Sequence, residues 1–264
     1  MQNWKPQFEN PDKTSLSTLQ SCIRTNDLEL VGDGTHLTYF EMLGNFSFQK
    51  QEYIHSVDMW TAILDGLNIR KDCIIHVHPN SSHKPIWTKH GFQVVNDEEC
   101  QWSDGKIGGY CCEVYWNGLE LGNLVNTLNT MTDVGFGWER LLMVIEGKSR
   151  VDEISIFDQT LDPVTRDHVR TIDCLWDNQV KPGSKGRNCV CRRLIRRVLH
   201  NKLLNVKWQE WLENERIVRE RCIQQSKKMW NRHKDKSPQW WWETCGLLPE
   251  DLCNSNLKMC AIPI

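Results

Sequence analysis

The chain has 264 residues, a net charge of −2 and 12 cysteines, a length that fits one large domain or two modest ones. Near-neutral charge excludes a polyanion binder over the whole surface, so any nucleic-acid surface must be local. The polar start MQNWKPQFENPDK carries no signal peptide and no apolar run approaches the roughly 18 residues of a membrane span. A cytoplasmic chain with reduced cysteines is therefore expected.

In chain order, residues 1–20 read as a polar extended arm. Residues 21–32 (SCIRTNDLELVG) alternate apolar and polar side chains and carry one conspicuous cation, Arg24. Gly32, Asp33 and Gly34 form a reversal. Residues 36–48 (HLTYFEMLGNFSF) are rich in aromatic and β-type residues, as a returning strand should be. The pair predicts an antiparallel hairpin with Arg24 on one strand and His36 and Phe40 on the other. Phe40 could stack on a base and Arg24 could hold a phosphate; the plainer alternative makes Phe40 core and Arg24 surface.

Apolar residues at Ile54, Val57, Trp60, Ile63, Leu64 and Leu67 predict a packing helix over 51–68. Residues 73–77 (CIIHV) predict a buried strand, with His76 and His78 in structural or surface roles. A short helix entered through Pro85 and stopped by Gly91 follows, then a brief strand at 92–95. Residues 100–115 (CQWSDGKIGGYCCEVY) predict an open glycine loop feeding a strand that carries Glu113. Glu120, Asn123 and Asn126 lie on the next strand, where buried polar groups must be hydrogen-bonded. Their concentration points to a ligand as part of the partner set. No cysteine pair has a usual zinc spacing, since Cys111 and Cys112 are adjacent and Cys189 and Cys191 lie one residue apart. They read as buried small hydrophobes, and no metal site is expected from them. The 13 tryptophans read mostly as core or interface anchors.

Residues 127–142 (TLNTMTDVGFGWERLL) form the segment around which the rest is arranged. Gly135 and Gly137 allow close backbone approach to a ligand, in a turn that enters an apolar helix. Arg140 in its first turn can lie flat on a nucleobase or grip a phosphate. Asp133 is a fixed negative charge suited to an ammonium group. An acid for an amine beside an arginine for a nucleotide points to activation of an amino acid with ATP.

Residues 152–180 read as helical, and near residue 150 a mixed α/β part is expected to give way to an all-helical part, dividing the chain into 1–150 and 151–264. The basic loop KPGSKGR at 181–187 leads into a helix with Val190, Cys191, Leu194, Ile195 and Val198 on one side and Arg192, Arg193, Arg196 and Arg197 on the other. A basic stripe backed by apolar residues, preceded by more cations, suits a phosphate backbone. A long charged helix is predicted over 205–235, facing inward with Trp208, Trp211, Leu212, Ile217 and Val218. An aromatic cap and a short acidic helix follow over 239–252.

These blocks, in order, resemble the catalytic and tRNA-recognition portions of the alanyl-tRNA synthetase family, a class II family with an antiparallel-sheet active site. CIRTNDLELVG with THLTYFEMLGNFSF is similar to its motif 2, MTDVGFGWERL to its motif 3, and ELGNLVN to a strand block that usually reads EIWNLVF. RDHVRTIDCLWDNQVKPGSKGRNCVCRRLIRR is similar to its helical tRNA-recognition block, and WWWETCGLLPEDL to a block that follows. The resemblance implies an α+β fold with flanking helices, then a helical domain. It implies Arg24 at the α-phosphate, His36 near the outer phosphates, and Phe40 and Arg140 sandwiching adenine. Asp133 would take the amino group of alanine, with Asn123, Gly135 and Trp102 shaping the same pocket. Arg192, Arg193, Arg196 and Arg197 would lie near a tRNA acceptor stem, and ATP with Mg2+ would be used.

The chain departs from the family at several places. The first strand and motif 1 helix are expected to be missing, as are the editing and C-terminal domains. The tryptophan of EIWN is Gly122, and the leucine of GLER is Trp138. The reading is ATP-dependent activation of alanine with transfer to tRNA. The rivals are a ligase that delivers a small amino acid to another acceptor, and a non-catalytic tRNA- or protein-binding module.

Overall fold

The structure is a computed structural model that describes residues 15–241 apart from 49–51, 104, 106–107, 128–130, 203, 234 and 238–239. The acidic helix expected near 249 and most of the aromatic cap lie outside the described residues. The chain divides into two compact units, Met1–Asp167 and His168–Ile264.

The first unit is built on strands β1 (Ser15–Ile23), β2 (Tyr39–Ser47), β3 (Cys73–Val77), β4 (Gln93–Asn96), β5 (Gln101–Ser103), β6 (Gly108–Trp116), β7 (Leu119–Thr127) and β8 (Met131–Gly137). Its helices are α1 (Glu52–Gly66), α2 (Lys84–Lys89) and α3 (Trp138–Ile145). The strands form one sheet in the order β1-β2-β8-β7-β6-β3-β4, with β5 added to the edge of β6. All pairings are antiparallel except β3 with β4. The sequence-derived α+β class is the architecture observed.

One face of this sheet is core. Phe136 and Val134 of β8, Leu124 of β7, Val114 and Cys112 of β6, and Ile75 and Val77 of β3 are buried there against Val57, Trp60 and Leu64 of α1. Trp60 stacks on Phe136 with ring centroids 3.5 Å apart and planes 8° from parallel. Trp87 of α2 is fully buried and donates its indole N–H to Tyr53 Oη at 3.0 Å. The packing stripe predicted for 51–68 is thus the helix that closes the core, although Ile54 and Ile63 of that stripe remain exposed.

Several expectations are corrected. The hairpin exists, but its first strand starts at Ser15 and ends at Ile23, inside the segment read as an arm. Arg24 follows the strand, and its N–H closes the hairpin on Thr38 O at 2.9 Å. His36 lies in the connecting loop, because Asp33 accepts from the Thr35 and His36 N–H groups and folds residues 33–36 into a turn. Asp133, Gly135 and Gly137 lie on strand β8 rather than in a turn. Residues 154–162 are not helical. A 3-10 turn at Val151–Glu153 is followed by bends until α4 (Pro163–Asp177) begins. Val151, Ile154 and Phe157 pack on Met143 of α3. That packing draws residues after 150 into the first unit, so the units divide at 167 rather than 150.

The described elements of the second unit are helical: the greater part of α4, α5 (Gly186–Arg197) and α6 (Gln209–His233). Cys191, Leu194, Ile195 and Val198 are buried, as their spacing predicted. On α6, Trp208 before the helix and Leu212 within it are buried, but Ile217 is exposed and Glu215 is buried in its place. Among the described residues no helix is long and apolar enough to cross a membrane.

Gly122 is fixed by close approach. A Cβ there would overlap the carbonyl oxygen of Gly135 and lie 2.7 Å from Cδ2 of Phe136. Gly122→Ala is expected to lower stability by about 1–3 kcal/mol through overpacking, read as a lower urea midpoint with an unchanged m-value. An unaltered midpoint would show that the Phe136 ring moves aside freely.

Candidate active site

The second face of the sheet is not covered by α1. Side chains that face each other across paired strands share one face, so the register places Gly44, Gly135, Asn123, Glu113 and His76 in one row across β2, β8, β7, β6 and β3. The neighbouring row holds Phe46, Asp133, Val125 and Cys111. Gly44 and Gly135 are directly paired, with the Thr18 and Gln20 side chains over Gly44 and Met42 beside Gly135. Polar residues and paired glycines in mid-sheet are poor core material and good ligand floor.

An open cavity of about 680 Å³ stands over this floor. Its walls include Arg24, His36, Phe40, Asn123, Gly135 and Arg140, six residues singled out from the sequence, together with Asp27, Thr35, Leu37, Met42, Glu120 and Val151. Phe40 projects from β2, half-buried, with the Arg24 guanidinium 5.8 Å from its ring centroid. That excludes the plain core reading for Phe40. The Arg24 side chain is 60% exposed and its only ion pair among the described residues is a long one to Asp27, at 3.9 Å. The Arg140 guanidinium donates to Glu120 O and lies 3.4 Å from the Glu120 carboxylate.

Glu139, the other half of the Glu-Arg pair, is buried, and both of its carboxylate oxygens accept from the Glu41 N–H at 3.0–3.1 Å. Its partner is the backbone of β2, beside Phe40, so it sets the wall rather than facing a ligand.

The loop carrying His36 is held by residues the sequence did not single out. Arg150 donates to Gly32 O at 2.8 Å and Asp33 O at 3.3 Å, and is itself held by Asp152 at 2.6 Å. Buried Asp167 accepts from the Thr38 N–H at 2.8 Å, and Val151 N–H donates to Gly34 O at 2.8 Å. These partners are separated from the loop by more than a hundred residues, and no local pattern marks them. His36 Nδ1 lies 2.6 Å from Asp33 Oδ2. Partial burial opposes ionisation of Asp33, but donors from Thr35 and His36 outweigh it and hold the carboxyl well below the usual range.

Asp133 and Trp102 do not line the cavity. Asp133 lies two residues from Gly135 on the same strand and face. Its register neighbours are Phe46 and Val125, and Trp102 packs on both of their clusters. These two of the four residues assigned to the amino-acid pocket therefore share an apolar end of the floor, while Asn123 and Gly135 line the cavity. Desolvation there pushes the Asp133 carboxyl up to about 6. Glu113 is also raised by burial, against a hydrogen bond from Tyr115 Oη at 2.9 Å.

Arg192, Arg193, Arg196 and Arg197 of α5 do not form a uniform stripe. Arg192 Nε lies 2.8 Å from one oxygen of Glu215 and Arg196 Nε 3.0 Å from the other. An acid nineteen residues beyond Arg196 thus balances half of a patch that looked unbalanced in sequence.

Residues 1–123 match the family model described as tRNA synthetases class II (A). This part of the chain is therefore similar to class II tRNA synthetases. It is similar to the alanine–tRNA ligase of Desulfitobacterium hafniense, 28% identical over 77% of this chain and 31% of that protein. The corresponding ligase of Clostridioides difficile is 29% identical over 78% of this chain and 31% of that protein. The chain thus spans about a third of the length of these relatives. Among solved structures, the Desulfitobacterium hafniense pyrrolysyl tRNA synthetase aligns over 58% of this chain and 49% of its own, with a TM-score of 0.37 and 19% identity. The Staphylococcus aureus histidyl-tRNA synthetase aligns over 67% and 58%, with a TM-score of 0.37 and 14% identity.

The raised Asp133 has a measurable consequence. Its folded pKa of about 6 exceeds the unfolded value of 3.8, so the folded state binds more protons between them and stability falls as pH rises through that window. Asp133→Asn removes the cost. It is expected to match the parent near pH 4 and to exceed it above pH 6 by up to about 3 kcal/mol in urea unfolding. An equal difference at both pH values would contradict the desolvated acid.

Proposed function

We propose that this chain activates alanine, or a similarly small amino acid, with ATP to form an aminoacyl-adenylate. The observation that carries the reading is the convergence of Arg24, His36 and Phe40 of one hairpin with Arg140, a hundred residues further on, around one cavity beside Asn123 and Gly135. The similarity to alanine–tRNA ligases supports the choice of amino acid.

Adenine would lie between Phe40 and the Arg140 guanidinium, using stacking on both faces. Arg24, largely exposed and loosely paired, is free to turn onto the α-phosphate and the attacking carboxylate. His36 would approach the outer phosphates. The reaction is in-line attack of the amino-acid carboxylate oxygen on the α-phosphorus, with pyrophosphate leaving. No side chain acts as nucleophile, so rate comes from positioning and charge stabilisation. Magnesium would travel with the triphosphate. Asp27 and Glu120 are the lining carboxylates open to it, since Glu139 is committed to the Glu41 N–H. Asp133 would hold the substrate ammonium, and that pairing would restore the charge that burial disfavours. Gly135, which lines the cavity beside Asn123, would border the amino-acid backbone, and Trp102 would close the methyl side.

Transfer to a tRNA 3′ end is the proposed second step, with Arg193 and Arg197 of α5 as its contacts to the acceptor stem. The pairing of Arg192 and Arg196 with Glu215 favours a second reading, delivery of the activated amino acid to a different acceptor.

Alanine-dependent ATP–pyrophosphate exchange tests the first step. Exchange is expected with alanine above serine and glycine, and Arg140→Ala and Asp133→Ala should each reduce it by roughly 100-fold or more, the scale for losing a group that holds developing charge or orients substrate. Exchange untouched by Asp133→Ala would defeat the amino-acid assignment. Absence of exchange with any small amino acid would leave a binding module. The acceptor is read separately. Arg193→Ala with Arg197→Ala should weaken tRNA binding and reduce its salt slope by roughly one to two units, and an unchanged slope would support the non-tRNA acceptor.

A further inference from the structure

No cysteine spacing in the sequence marks a metal site, yet the fold brings two distant cysteines together. In the β5–β6 pairing Gln101 faces Tyr110. Cys100 therefore stands opposite Cys111, and the Cys111 N–H donates to Cys100 O at 2.9 Å. Glu113 lies two residues further along β6, so its side chain leaves the same face of the strand as that of Cys111. The Sγ atoms of Cys100 and Cys111 and a carboxylate oxygen of Glu113 all lie within 4.8 Å of one another.

The geometry is close to that of a coordination sphere. Tetrahedral zinc with Zn–S bonds of about 2.3 Å places its sulfurs roughly 3.8 Å apart, so small side-chain rotations suffice. Both cysteines are buried while Glu113 is half-buried, which closes the sulfur side and leaves access past the carboxylate. Among the described residues Glu113 has no ion pair, and its hydrogen-bond partner is the neutral Tyr115 hydroxyl. Two buried thiols and a half-buried carboxylate thus bring three ligand atoms to one point.

We propose that Cys100, Cys111 and Glu113 form a three-ligand site for a thiophilic divalent cation, zinc by preference, with the fourth position open. Thiolate ligands select zinc over magnesium or calcium, and three protein ligands with an open position distinguish a functional site from a closed structural one. The site stands on the ligand face of the sheet. Cys111 faces Val125, which faces Asp133, and Glu113 faces Asn123. It therefore borders the apolar end of the floor, and it stands whether or not that end takes an amino acid.

The test uses the full chain, purified under reducing conditions and stripped of metal, then titrated with Co2+ and separately with Zn2+. One equivalent of Co2+ is expected to give thiolate-to-cobalt absorption in the near ultraviolet and tetrahedral bands in the visible, displaced by one equivalent of Zn2+. Cys100→Ser and Cys111→Ser should each abolish the charge-transfer band. Glu113→Gln should keep the band and weaken affinity by roughly tenfold or more, on the scale of losing a ligand. Cys189→Ser, at an exposed cysteine outside the cluster, should change nothing. The proposal fails if the parent protein gives no cobalt–thiolate band. It fails equally if the band survives in the Cys100→Ser, Cys111→Ser double variant, or if mass spectrometry of unreduced protein shows these cysteines joined as a disulfide. The parent spectrum requires no variant to fold.

Discussion

A single buried carboxylate sets the spacing on which the cavity depends. Glu139 opens α3 and gives both of its oxygens to the N–H of Glu41 in β2. Phe40 precedes Glu41, and Arg140 follows Glu139. The charge-assisted bond therefore clamps the strand that carries the aromatic wall to the helix that carries the cationic wall. A carboxylate taken out of water is costly without such partners. That cost makes the spacing specific, because a shifted helix would leave the charge unmet.

The sheet separates stability from chemistry by face. One face is filled by α1, with Trp60 stacked on Phe136 and Gly122 left bare so that the ring can lie across it. The other face carries paired glycines, Asn123 and desolvated acids. The departure of Gly122 from the family's tryptophan falls on the packing side, paired with Phe136 rather than with Gly135. The Gly122 backbone nonetheless lines the cavity beside Asn123.

In the second unit, the charge pattern and the charge balance differ. A helix face with four arginines reads as a polyanion surface, but a buried glutamate from the next helix takes two of them into an ionic cluster. A buried carboxylate with two guanidinium partners fixes α5 against α6 and leaves a smaller cationic surface for any nucleic acid.

The sequence by itself determined the returning strand β2, the strands over 73–77 and 110–116, the packing helix over 51–68 and the apolar side of α5, because periodicity and motif are local properties. Local pattern also erred where a competing local bond intervened, as with the Asp33 turn that takes His36 off the strand. Only the tertiary structure decided which residues hold the site. Arg150 and Asp167 pin a loop more than a hundred residues away, Glu139 turns inward while Arg140 turns outward, and Glu215 neutralises arginines on another helix. It also placed Cys100 opposite Cys111. Pairing across strands and burial of charge depend on partners that sequence distance conceals, so neither could be read from spacing along the chain.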